Sequence, residues 1–253
     1  MKLFFLPLAS FCLLAAPALA QKFTPNINES KEFKNVFHSP SADSTPPPFR
    51  SVLPMEIVLK RGDDDAQVIY ADGTVVSEGG LIVTVIDKPN SCEEPNGGIV
   101  AASLLMLDGS GASADLVAYE AEYGLAIFRA KGIKLPVLRL SPAPIVANRR
   151  LDWYAVFRDG RKTFLYSRPL RVHKAAFEVG GTDDLCQIID LASSSLNADR
   201  SGSALLAMDG TLVALMGRQE HWNVTPKNQQ PRTKTAWGVP AAVIARLVEK
   251  VSN

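Results

Sequence analysis

Between Arg50 and Trp237 the chain is a series of short apolar runs, each closed by a turn signal. Met55–Lys60 is followed by Gly62 and three aspartates, and Val68–Tyr70 by Ala71-Asp72-Gly73. Gly80–Ile86 gives way to Asp87-Lys-Pro-Asn, and Ile99–Leu107 to Asp108-Gly-Ser-Gly. Later runs are Gly124–Ala130, Leu151–Arg158, Thr163–Ser167, Leu185–Leu191, Ala204–Met208 and Thr211–Met216. Many short runs at regular spacing, with no long helical pattern between them, predict an all-β sandwich or barrel. Asp72-Gly73, Asp108-Gly109, Asp159-Gly160 and Asp209-Gly210 read as tight turns, because Gly tolerates positive φ. Only the end changes character. From Pro240 to Val251 the spacing puts Val243, Ile244, Leu247, Val248 and Val251 on one face of an amphipathic helix that should pack on the second half of the fold.

The start of the chain is read as a targeting segment. Lys2 precedes an apolar run that finishes in Ala18-Leu19-Ala20, a small-x-small cleavage site, so residues 1–20 are expected to be a signal peptide cut after Ala20. The run is short for a membrane anchor, and no transmembrane segment is expected after cleavage. This predicts a secreted or periplasmic protein. Residues 21–50 are polar, finish in Ser-Thr-Pro-Pro-Pro-Phe-Arg and lack apolar periodicity, which predicts a flexible Pro-rich tail with order beginning near Arg50. With Lys2 removed, 26 basic residues face 26 acidic ones. That balance gives no reason to expect nucleic acid or an anionic membrane as partner. The three His do not sit with Cys or acid at ligand spacing, so no metal and no other cofactor is expected. Cys12 leaves with the signal, while Cys92 and Cys186 remain in an exported chain, where either a bridge between them or two free thiols fits. Asn28-Glu-Ser and Asn223-Val-Thr fit the glycosylation pattern, which matters only in a eukaryotic secretory route.

One stretch carries a chemical signature: Asp199-Arg-Ser-Gly-Ser-Ala-Leu-Leu-Ala-Met-Asp-Gly-Thr-Leu-Val-Ala-Leu215. It resembles the nucleophile segment of trypsin-like serine peptidases, especially the bacterial HtrA/Deg branch, with Ser201-Gly202 retained. Four further segments resemble the same domain in the same order. Gly80-Leu-Ile-Val-Thr-Val-Ile-Asp87 is similar to the strand that carries the catalytic His, and Asp87 stands at the His position. Tyr123-Gly-Leu-Ala-Ile-Phe128 is similar to the strand opened by the catalytic Asp, and Gly124 stands at the Asp position. Leu135–Ser141 with Leu151–Phe157 resembles the link between barrels, and Ala236–Pro240 the closing strand before a helix. The resemblance covers nearly all of residues 51–250. It implies two six-stranded antiparallel barrels, at 51–140 and 141–238, a C-terminal helix at 239–253, and a cleft between the barrels. HtrA proteins usually carry a PDZ domain after this helix, and the sequence is read as ending without one.

A serine hydroxyl needs a base within hydrogen-bond reach and an orienter for that base. The resemblance puts Asp87 where the base belongs. Asp has an ordinary pKa of about 3.9, far below what a general base needs. His38, His173 and His221 have no neighbours that mark them as a substitute. The family's oxyanion hole uses the backbone N–H groups of the nucleophile and of a Gly two residues earlier. Here those positions are Ser201 and Asp199, and the Asp199 carboxylate stands where negative charge must develop, with Arg200 beside it. The leading expectation is therefore a non-catalytic peptidase homologue that binds a protein or extended peptide in the cleft, through Asp87, Arg200, Ser201 and the loop Gly217–Trp222. An active endopeptidase with an atypical site and an accessory envelope domain tethered by its tail are the alternatives. Oligomeric state stays open.

Overall fold

The computed structural model describes residues 36–37, 47–61, 65–86, 98–106, 109–159, 162–179, 182–190, 201–220 and 235–252. Strand β1 (Val36–Phe37) and the single turn α1 (Pro47–Arg50) precede two barrels. The first barrel holds β2 (Val52–Arg61), β3 (Asp65–Val75), β4 (Leu81–Val85), β5 (Ile99–Leu105), β6 (Gly111–Glu120) and β7 (Leu125–Ala130). It closes in the order β2-β3-β4-β7-β6-β5. The second holds β8 (Arg150–Asp159), β9 (Lys162–Val179), β10 (Thr182–Asp190), β11 (Ala204–Leu206), β12 (Leu212–Glu220) and β13 (Thr235–Pro240). Its order is β9-β10-β13-β12-β11-β8, closed by the β8–β9 hairpin, with every pairing antiparallel. Helix α2 (Ala241–Ser252) ends the fold. This is the all-β, two-barrel architecture expected.

Burial alternates from Met55 to Leu59 on β2, while β4 and β11 are buried on both faces. One cluster fills the first barrel and spreads across the seam, joining Met55, Ile57, Ile82 and Phe128 to Val156, Leu215, Trp237 and the helix residues Val243, Ile244 and Leu247. A separate cluster of Leu151, Trp153, Val172, Cys186, Ile188 and Met216 fills the second barrel. Neighbouring residues of β12 therefore serve different cores, Leu215 the seam and Met216 the second barrel's interior. The helix buries the face read from its spacing, and it also reaches the first barrel: with β6 and β7 it lines a shared cavity.

Two expectations are corrected. The stretch 21–50 is not wholly a flexible tail. β1 pairs with β9, Val36 opposite Phe164, and α1 inserts Phe49, 1% exposed, against the ring of Tyr154 on β8, edge-on with centroids 5.1 Å apart. Burial of the Phe49 ring removes a large apolar surface from water and anchors the end of the stretch. Asp72-Gly73 is not a turn either. Both lie inside β3, paired with Pro54 and Leu53. Gly73 is there because a Cβ would run into Met55 and Ile82. Asp209-Gly210 is a turn, as expected: Gly210 has φ 79°, and the Asp209 carboxylate accepts from the Thr211 amide and hydroxyl at 3.0 and 2.7 Å.

Candidate functional site

The site frame begins where β4 and β7 run side by side. Their ladder pairs Leu81 with Arg129 and ends with Val85 opposite Leu125. It continues one step further, because the Ile86 amide donates to the Gly124 carbonyl at 2.9 Å. The residue before Asp87 is thus fixed beside Gly124. Asp87 itself lies outside the described residues. Gly124 closes the turn 121–124, in which the Tyr123 amide donates to Glu120 and the Gly124 amide to Ala121. Its φ is +60°, the left-handed region that favours glycine. The backbone conformation at Gly124 thus selects against a side chain.

The Ser201–Gly202 turn crosses the seam from the other side. Ser201 is 9% exposed, and its carbonyl accepts from the Asp72 amide of β3 at 3.0 Å. The Gly202 amide donates to Met216 at 2.7 Å, and the Met216 amide returns a bond to Ser203 at 2.8 Å. Gly202 has φ +82°, and a Cβ there would collide with the Asp72 carbonyl and the Thr84 hydroxyl. Around the turn lies a belt of buried polar side chains: Asp72, Thr74, Thr84 and Ser203, all 0% exposed. The Trp153 indole N–H donates to the Ser203 hydroxyl at 2.6 Å, and the Asp72 carboxylate accepts from the Val156 amide of β8 at 3.2 Å. β4 therefore touches Gly202 through Thr84 and Gly124 through Ile86. The structure brings the Ser201 turn, the segment entering Asp87, and Gly124 to one seam.

The remaining candidates divide. Asp199, Arg200, Cys92, His38 and His221 lie outside the described residues. His173 is exposed on β9. Gly217, which opens the loop expected to line the cleft, lies against the indole of Trp237, where a Cβ would clash. Cys186 is a free thiol rather than half of a described bridge. It faces the second core with no exposure and donates to the Gly238 carbonyl at 3.4 Å. Burial pushes its pKa up to about 12. A thiol so placed stays protonated and behaves as a small apolar residue. Among the described residues there is no group of three or more side chains able to hold a metal. Sequence reasoning missed Asp72 as a site residue. The signal available was an acid set between two apolar runs, Val68–Tyr70 and Thr74–Val76.

Two closed six-stranded antiparallel barrels with a terminal helix, meeting at a serine turn, define the chymotrypsin-like fold of trypsin-like serine peptidases. The chain is similar to the crystal structure of the Rv3671c protease from M. tuberculosis in its active form, with a TM-score of 0.58, 17% identity and 84% of each chain covered. At that identity the likeness concerns the fold. No family model matches the sequence, and neither does any curated protein.

Proposed function

We propose that the protein is an exported trypsin-like peptidase homologue of the HtrA/Deg kind that does not cleave, and that it works by binding a protein or extended peptide between its barrels. One observation carries this reading. Gly124 sits in a left-handed turn with its carbonyl committed to Ile86, and the resemblance puts this position, which has no side chain, where the orienting carboxylate belongs. In active enzymes of this class, replacing that Asp by Asn alone lowers the rate by about four orders of magnitude. With Asp87 at the base position, Ser201 has neither base nor orienter, and its carbonyl ties the turn to Asp72.

Binding has a backbone basis. β12 pairs with β11 only as far as Leu215, while on its other side it continues along β13 with Gln219 opposite Ala236. Among the described residues, Gly217–Glu220 therefore presents one edge with no strand partner. An extended peptide could add there as a strand, with main-chain bonds supplying affinity. Export rests on residues 1–20, and N-terminal sequencing of protein from the exported fraction should begin at Gln21.

A fluorophosphonate probe tests the non-catalytic reading. The expected result is no labelling of folded protein and no turnover of casein. Turnover abolished by Ser201→Ala would overturn the proposal in favour of an active endopeptidase. The accessory-domain reading predicts that deleting residues 21–50 abolishes capture from the exported fraction while cleft substitutions leave it intact.

A further inference from the structure

A cavity that shares no lining residue with the Ser201 turn lies between the end of β6, the 121–124 turn and α2. Its volume is about 160 Å³. Drug-sized sites run to roughly 300–1,000 Å³, so this one is on the scale of a single amino acid. Its floor is apolar and buried: Leu125, Val243, Leu247 and the ring of Tyr123. Its two lips carry opposite charge. Glu120 and Glu122 stand on the barrel side, and Arg246 and Lys250 on the helix side. The two bases are four residues apart, hence on one helix face. Neither acid forms an ion pair with either base among the described residues.

The acidic lip is held from outside, because the Thr182 hydroxyl of β10 donates to the Glu122 carbonyl at 2.6 Å. Burial, then the nearby Glu122 charge, raises the Tyr123 pKa, while Arg246 beside its hydroxyl acts the other way. The phenol thus stays a neutral donor at the mouth.

We propose that this cavity binds a free α-amino acid with an apolar side chain. The geometry assigns the ammonium to Glu120 and Glu122, the carboxylate to Arg246 and Lys250, and the side chain to Leu125, Val243 and Leu247. An interior peptide residue has neither charge, and a chain terminus has only one of the two. The cavity is built on the turn that ends at Gly124, so occupancy should be sensed at the Ile86–Gly124 bond. The inference does not depend on whether Ser201 is catalytic.

The test is titration of the mature chain with L-leucine, followed by amide NMR at Tyr123, Gly124 and Ile86. N-acetyl-L-leucine and L-leucinamide serve as the singly charged controls. Saturable shifts with L-leucine are expected, weakened by about tenfold or more for either control and for Arg246→Ala or Glu122→Gln. Both variants change exposed side chains, and unchanged spectra elsewhere confirm that they fold. No saturable shift with L-leucine, or equal binding of the blocked forms, overturns the proposal. So does binding indifferent to both variants.

Discussion

The two turns that meet at the seam differ in how tightly the fold holds them. The Ser201–Ser203 turn is bonded to β3, β8 and β12 and packed so closely that Gly202 has no room for a Cβ. The 121–124 turn is bonded locally, Tyr123 to Glu120 and Gly124 to Ala121, and outward to Ile86 and the Thr182 hydroxyl, and it borders an open cavity. Both depend on a glycine at positive φ, +82° at Gly202 and +60° at Gly124. The first turn is a structural joint between barrels, and its preservation follows from that role whether or not Ser201 reacts. The second turn is held by fewer contacts across the seam, and it is the one that the proposed reading places at the vacated carboxylate. A retained Ser-Gly is thus weak evidence of catalysis when the same atoms hold two barrels together.

Gly202→Ala should break the tighter turn outright. The added methyl meets the Asp72 carbonyl and the Thr84 hydroxyl, and the backbone is unfavourable for it. A loss of about 3–5 kcal/mol in urea unfolding is expected. A loss under about 1 kcal/mol would mean that the joint is loose and the comparison mistaken.

Asp72 tests the same joint from the first barrel. Asp72→Ala removes the acceptor of the buried Val156 amide, and about 2 kcal/mol should go with it. Asp72→Asn keeps an acceptor oxygen and should cost less. Equal losses for the two would show that the carboxylate charge, not the hydrogen bond, matters.

The second core supplies a pH-dependent contrast. The Cys186 pKa is raised from 9.0 to about 12, so the unfolded chain releases its proton first as pH rises. The stability this thiol contributes is fully present below pH 9 and declines above it. The expected loss is about 1 kcal/mol between pH 9 and 10. Cys186→Ala should flatten that slope while lowering stability at neutral pH. An unchanged slope in the variant would place the titrating group elsewhere.

The residues that announced the fold acted locally. Leu81–Val85 is buried along its whole length and reads as a strand from composition alone, and α2 shows its buried face in its spacing. β6 was harder: Gly, Ala, Ser and Asp dilute its β-branched content, and most of its side chains are not buried. β9 extends past Pro169 to Val179, well beyond the Thr163–Ser167 run, because its hairpin with β8 and its pairing with β10 carry it. Asp72-Gly73 reads as a turn in sequence because Asp-Gly usually is one. Its actual partners, Val156 and Ser201, come from the other barrel, and no local window contains them. The site positions were legible only through resemblance, since nothing in a lone Gly124 distinguishes a lost carboxylate from an ordinary turn glycine.

Gly124→Asp is the smallest and most discriminating change. It puts a side chain on a positive-φ glycine, as Gly202→Ala does, yet Asp tolerates that backbone better than most residues. A cost of about 1 kcal/mol or less is expected, several-fold below that at Gly202. On the proposed reading, a carboxylate at 124 alone should leave casein uncut, because that reading puts Asp87 at the base position. Adding Asp87→His to Gly124→Asp sharpens the comparison. If the joint at Ser201 preserves nucleophile geometry, the double variant should gain fluorophosphonate labelling at Ser201 that neither single variant shows. If it stays unlabelled while folded, the turn has drifted from catalytic geometry as well as lost its partners. The tight bonding to Asp72 and Met216 would then describe a joint adapted to holding the barrels alone.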